Sequence, residues 1–280
     1  MQSNNPVFNR SEAFQPGGNQ ATSYGDPSTW GTGAPGDPVA GYNQPSYERM
    51  TIDTVVQKTA VTLAVVIAAA LVTWYFVGDI VTQADAATLY GAVVVGSGAA
   101  FLLSLVNSFK RVISPALVLA FAAAEGVALG AFSKAVDLNL QLQGALENNV
   151  IMQAVLGTFA AFAGTLAAYK FLNIQVSNKF RMFVTAAMFG MVGLGLLELV
   201  LSAFGNGMGL FANGALGILF AGAGLVLGVF MLIMDFDFVE QGIANGLEAR
   251  ESWRAAFAMT VSLVWIYTNL LRLLAIFNQD

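Results

Sequence analysis

The stretch VVQKTAVTLAVVIAAALVTWYFV, residues 55–77, decides the fold. A hydrocarbon core about 30 Å thick is crossed by about 20 predominantly apolar helical residues. This stretch has that length, and its one charge, Lys58, lies near its start. Six further blocks of the same kind follow at 86–106, 112–133, 150–169, 183–204, 214–234 and 255–277. Turn-forming or charged breaks separate them, among them Gly78-Asp79, Asn107-Ser108 and Gly205-Asn206-Gly207. Thr51 and Asp53 are residue types that start helices, and Pro115 falls in the first turn of the third block, where a missing N–H does no harm. The pattern predicts an all-α membrane protein: a seven-transmembrane-helix bundle over residues 51–280.

Composition agrees. Of 280 residues, 56% are hydrophobic and only 10% charged, against about 25% charged in a soluble domain. The chain has no His and no Cys. That removes Ser-His-Asp and Cys-His nucleophiles, His or thiolate zinc sites, His-ligated haem and disulfides. An enzyme is therefore not expected, nor a permanently bound cofactor. A net charge of −5 with no run of Lys or Arg argues against a nucleic-acid partner. Residues 1–50 are rich in Asn, Gln, Gly, Pro and Ser, and no apolar face can be drawn through them. They are expected to form a disordered polar tail, without the apolar core of a signal peptide.

Orientation follows from the short loops. Arg49, Lys58, Lys110, Arg111, Lys170, Lys179, Arg181, Arg250 and Arg254 all fall at one membrane face, while the opposite loops carry only Lys134. This places the N-terminus in the cytoplasm. Gly126 and Gly130, and likewise Gly224 and Gly228, recur at the four-residue spacing that lets membrane helices approach closely.

Ionisable groups inside a span cost about 2.5–3.5 kcal/mol each on the insertion scale and are functional candidates by default. Glu125 lies in the third block near the midplane, Glu198 near the outer end of the fifth, and Arg272 near the outer end of the seventh. Asp235 and Asp237 follow the sixth block, at the expected cytoplasmic interface, and being two apart they cannot face one site from a regular helix. The carboxylates thus form a ladder across the membrane. Glu198 and Arg272 are candidates for a buried pair. No basic residue lies at the depth of Glu125, which makes it the candidate for a proton or cation relay. Carboxylates and backbone carbonyls are hard oxygen ligands, suited to Ca²⁺ or H⁺; Asp235 and Glu125 are the candidate Ca²⁺ ligands. Asp235 has Lys110 and Arg111 at its own face as candidate closed-state partners.

Two segments carry a family resemblance. Met234-Asp235-Phe236-Asp237-Phe238-Val239-Glu240 and Asn269-Leu270-Leu271-Arg272-Leu273-Leu274 resemble the ends of the last two helices of the Bax inhibitor-1/YccA family of transmembrane Bax-inhibitor-motif proteins. Glu125-Gly126-x-x-x-Gly130 and the tail start Ser3-Asn4-Asn5-Pro6-Val7-Phe8 are similar to its bacterial branch. The resemblance implies seven helices with the last one central, and a pH-sensitive Ca²⁺ leak channel gated by two aspartates on the last two helices. Asp235 matches the first aspartate; the position of the second holds Ser262. Arg272 matches the family's last-helix arginine, whose acidic partner is expected on the second helix. The second block has no carboxylate, which leaves Glu198 or Glu125.

Residues and resemblance together lead to two expectations. The first is a low-flux Ca²⁺ pathway in a bacterial cytoplasmic membrane, with Asp235 at its cytoplasmic mouth, Glu125 at the midplane, and Glu198 and Arg272 as an outer latch. The alternative is a non-conducting regulator, because the bacterial branch is associated with restraining a membrane-bound AAA protease. In that case function follows the tail and the exposed loops.

Overall fold

The computed structural model describes residues 48–144, 149–172 and 174–278 of the chain. Seven helices long and apolar enough to cross a membrane make up the described residues: α1 (Ile52–Val77), α2 (Gln83–Phe109), α3 (Pro115–Leu142), α4 (Val150–Phe171), α5 (Asn178–Ala203), α6 (Ala215–Ala244) and α7 (Ser252–Phe277). The chain is an all-α, multi-pass membrane protein. The expected tail lies outside the described residues as far as residue 47.

Local chemistry sets the helix starts. Thr51 caps α1 in a reciprocal box with Thr54, and Thr82 caps α2 in the same way with Asp85. Asp85 thus serves its own helix end, where a carboxylate also meets the positive end of the helix dipole. Pro115 opens α3 at its first position. The main departure from the sequence reading is α6. Its apolar block ends at residue 234, yet the helix continues to Ala244 and carries Asp235 and Asp237 within it.

In lipid no hydrophobic force draws one apolar helix to another, so close packing and interhelical hydrogen bonds must hold the bundle. α7 is the hub and packs against α1, α3, α4 and α6. α3 joins α1 to α2, whereas α5 rests mainly on α6. Accordingly 50% of the apolar stretch of α3 and of α7 is buried, against 17% for α1, α2 and α5. Exposed side chains such as Phe76, Val94, Leu102 and Phe189 face outward, where acyl chains solvate them.

The small residues make the close approaches. A Cβ on Gly130 would stand 2.9 Å from the Ala70 Cα, and one on Gly126 would stand 2.6 Å from the Ala69 Cβ, so α3 lies directly on the backbone of α1. On the other side of the hub, a Cβ on Gly228 would stand 2.6 Å from Ile266 Cγ1 of α7.

Below, the basic face denotes the end where α1, α3, α5 and α7 begin, and the far face the opposite end. At the basic face, residues 48–50, assigned to the tail by composition, are paired with the α6–α7 connection. The Met50 N–H donates to the Leu247 carbonyl at 2.7 Å and the Ala249 N–H to the Glu48 carbonyl at 2.6 Å. Met50 is buried in a cluster with Leu232, Phe236, Met259 and Leu263. The same connection is held by Lys58, which donates to the Ala249 carbonyl, and by a 2.8 Å hydrogen bond between Thr54 and Ser252. Arg250 Nε donates to the Ile113 carbonyl at 2.9 Å.

The glycine contacts yield a stability test. Gly130→Ala forces a methyl group into the α1 backbone and is expected to cost about 1–3 kcal/mol, read as a lower thermal midpoint of the purified protein. Gly98→Ala, with nothing within 4 Å of its new methyl, is expected to stay within about 0.5 kcal/mol.

Candidate functional site

Three of the ionisable groups singled out by sequence lie around one side of α7, but they do not form a continuous ladder. A cavity of about 990 Å³ is walled by α2, α3, α5 and α7, with Phe220 of α6 and residues 211–213 of the α5–α6 loop at its far end. On α3 its lining residues run from Glu125 to Asn139, about 21 Å at 1.5 Å per residue. On α7 they run from Trp265 through Asn269 and Arg272 to Ala275. The cavity therefore occupies the far half of the bundle, and Glu125, Phe101, Met191 and Trp265 lie at the end of its lining nearer the basic face. Glu125 lines the cavity and makes no hydrogen bond or ion pair with any described residue. It is the one candidate carboxylate that reaches this space.

Asp235 does not line the cavity. Its Oδ2 accepts a hydrogen bond of 2.6 Å from the Ser262 hydroxyl, and this bond ties α6 to α7. Ser262 is fully buried and lies three residues before Trp265, about 4.5 Å along the helix, so the bond sits one turn beyond the cavity floor on the same stripe of α7. Phe236 and Met259 on its basic side and Leu232 and Leu263 on its far side make the seam apolar at this level. The aspartate expected at the interface is thus well inside the bundle, nine residues from the end of α6. The position that replaces an aspartate by serine is its actual partner. Lys110 and Arg111 form no ion pair among the described residues; the Arg111 carbonyl instead accepts from Arg254 Nη2 at 2.9 Å.

Asp237 points the other way round α6, as its two-residue offset requires. It forms an ion pair with Arg181 at the start of α5, and Gln241 Nε2 donates to both its oxygens at 3.0 and 2.9 Å. A buried carboxylate is tolerable only when paired and hydrogen-bonded, and here all partners come from the basic end of the α5–α6 pair. Nearby, the Tyr169 hydroxyl of α4 donates to Glu240. In the sequence Arg181 stands out only as a loop charge. Its position at the start of α5, antiparallel to the end of α6, is the signal that would pair it with Asp237.

The direct ion pair expected between Glu198 and Arg272 is not formed. Both grip the α5–α6 loop instead. Glu198, 2% exposed, accepts the Met208 N–H at 2.8 Å and the Gly209 N–H at 2.9 Å. Arg272 donates to the carbonyl of the next residue, Leu210. Its guanidinium also stacks 5.1 Å from the Phe211 ring centroid and 5.9 Å from that of Phe220. Gly209 has φ +82°, a turn that comes between the two N–H groups bound by Glu198 and the Leu210 carbonyl bound by Arg272. Gly217 keeps the neighbouring surface of α6 bare: a Cβ there would stand 3.0 Å from the Ala212 carbonyl carbon and 3.5 Å from Arg272 Nη2. The outer clamp is therefore a carboxylate and a guanidinium holding three consecutive loop residues between α5 and α7.

No group of three or more His, Cys, Asp or Glu side chains converges on one point among the described residues. A cation in the cavity would meet Glu125 together with neutral oxygens, such as those of Asn269 and Thr268. That donor set fits a weakly held hard ion rather than a tightly bound one.

A family model described as Bax inhibitor 1 like matches residues 5–279. No curated protein matches the chain.

The loop clamp can be tested directly. Glu198→Ala leaves the Met208 and Gly209 N–H groups without their acceptor, and a hydrogen bond to a charged group is worth about 1.5–3 kcal/mol. Amide exchange at Met208 and Gly209 is expected to accelerate at least about tenfold, measured by hydrogen–deuterium exchange, with α1 unaffected.

Proposed function

The chain belongs to the Bax inhibitor 1 like family, and from this premise we propose that its bundle is a low-flux, pH-sensitive leak pathway for Ca²⁺. The observation that carries the reading is the cavity: a carboxylate unpaired among the described residues, Glu125, near mid-helix, with a second carboxylate about one helical turn beyond the floor. In this proposal the cavity is the far half of the path and the α6–α7 seam is its gate. The gate is shut when Ser262 is bonded to Asp235 and the surrounding apolar side chains exclude water. It opens when α6 and α7 part at that level, so that Asp235 receives the ion from Glu125.

The magnitude suits a leak. A hydrogen bond to a carboxylate is worth about 1.5–3 kcal/mol. Were it the main interaction broken on opening, the open state would hold roughly 1–10% of the population. Arg181 keeps Asp237 out of this exchange by holding it against α5, while Gln241, one turn on in α6, occupies both its oxygens. The concentration of Lys and Arg at the basic face supports a cytoplasmic N-terminus; the bacterial cytoplasmic membrane rests on the resemblance of Glu125-Gly126-x-x-x-Gly130 to the family's bacterial branch.

One observation favours a second reading, a non-conducting regulator that binds a membrane protease or another membrane partner. The family match begins at residue 5, so it takes in most of the N-terminal segment, which an ion path through the bundle does not need. Deleting residues 2–47 is expected to leave flux unchanged under the first reading.

The leak is tested by Ca²⁺ flux into liposomes carrying the purified protein at pH 6 and pH 8. Flux is expected to depend on pH and to fall at least tenfold in Glu125→Gln. Asp235→Asn keeps an oxygen that can accept from Ser262 but removes the titratable group, and is expected to abolish the pH response. No flux at either pH would overturn the reading. Ser262→Ala removes the donor at the seam and is expected to raise resting flux about tenfold, measured in the same assay.

A further inference from the structure

We propose that the cavity is the seat of an anionic phospholipid, with its phosphate on Arg272 and one acyl chain running inward toward Glu125. Three observations lead to it. The first is the wall. α2 and α5 line the cavity from opposite sides, yet no packed interface joins them among the described residues, and α5 is supported mainly by α6. The gap between them faces the bilayer, since the outer surfaces of both helices are apolar and exposed. A lipid chain has a lateral way in.

The second is shape and lining. At about 990 Å³ the cavity is at the top of the range of about 300–1,000 Å³ in which small-molecule sites fall. Its length of about 21 Å along α3 exceeds the ~15 Å of one leaflet's hydrocarbon. Val93, Phe101, Leu129, Phe132, Leu196 and Leu199 make most of its walls apolar, which suits a chain of methylenes better than a column of water.

The third is the charge at its outer end. Arg272 is five residues before the end of α7, about 7.5 Å along its axis. α7 is 26 residues long, about 39 Å, and so overshoots a 30 Å core by about 4–5 Å at each side. This sets Arg272 about 3 Å inside the hydrocarbon boundary, within reach of a headgroup phosphate by the outward lean long cationic side chains adopt. A guanidinium has five N–H donors. Here one nitrogen is engaged with the Leu210 carbonyl, while Phe211 and Phe220 hold the plane in place beside the cavity. Arg272 lines the cavity, and the Glu198 carboxylate near it is itself occupied by the Met208 and Gly209 N–H groups. Charge complementarity therefore selects an anionic over a zwitterionic lipid, by about fivefold for one cationic side chain near the surface.

The lipid site deepens the proposed pathway, because a chain lying against Glu125 would fill the far half of the path. That regulatory consequence rests on the leak reading; occupancy does not. Trp265 lines the cavity floor and its Nε1 donates to the Gly224 carbonyl at 2.9 Å, so its ring is a fixed reporter on the central helix. The full chain carrying Trp30→Phe, Trp74→Phe and Trp253→Phe leaves Trp265 as the one fluorophore. In liposomes titrated with rising mole fractions of either phosphatidylglycerol or phosphatidylcholine carrying brominated acyl chains, half-maximal quenching of Trp265 is expected at about fivefold lower mole fraction of the anionic lipid. Arg272→Gln is expected to remove that preference. Should that variant fold poorly, Val93→Phe with Leu196→Phe narrows the α2–α5 gap, leaves the clamp intact, and is expected to suppress quenching by both lipids. Equal quenching by the two lipids, or none by either, overturns the proposal. The readout does not pass through ion flux, so a protein that is quenched selectively but conducts nothing would overturn the leak and uphold the lipid site.

Discussion

The approach of four helices to α7 is the constraint on which the rest of the bundle depends. Lipid offers no reward for burying one apolar helix against another, so the packing must be close enough for dispersion and directed enough for hydrogen bonds. Gly126 and Gly130 bring α3 onto α1, and Gly224 and Gly228 bring α6 onto α7. Once these backbones meet, polar groups that would be untenable in hydrocarbon find partners across the seams: Ser262 with Asp235, Trp265 with the Gly224 carbonyl, and Ser133 with Tyr267 at 2.7 Å. The helices outside this hub are different. α5 has a single principal neighbour, and the space it leaves on its other side is the cavity.

The ionisable groups divide by how completely they are satisfied. Asp237 and Glu198 each accept several hydrogen bonds and act as fasteners, one at each end of α5. Asp235 has one neutral partner, and Glu125 has none among the described residues. Removing a fastener exposes buried donors, whereas changing Glu125 disturbs no bond. The same residue type thus serves the fold in one place and is free for chemistry in another.

The central place of the last helix is implied only by the family resemblance; seven spans and their order are legible in the sequence itself, because length and hydropathy are properties of single segments. The end of α6 is not. Its apolar run stops at residue 234, and whether Asp235 and Asp237 continue the helix depends on Ser262 and Arg181, which come from other helices. The outer clamp shows the same limit. Span length places Glu198 and Arg272 at one depth, but their meeting through Met208, Gly209 and Leu210 depends on loop backbone geometry at a glycine with positive φ. Residues 48–50 read as tail because composition carries no trace of the distant backbone they pair with. What a segment does alone is readable; what it does for a partner far along the chain is not.

The basic-face clasp has a consequence for biosynthesis. Thr54 and Ser252, which it joins, are 198 residues apart, and at roughly 5–20 residues per second the second partner is made some 10–40 s after the first. For that interval α1 has neither its strap against residues 247–249 nor the hub around which the bundle closes. Six helices must wait in the bilayer, held by local pairs such as α1–α3 and α2–α3, until the last one threads between them. The polar positions meant for α7 spend this time facing lipid or one another. Closure of the bundle therefore waits on α7, the last of the seven described helices to be made.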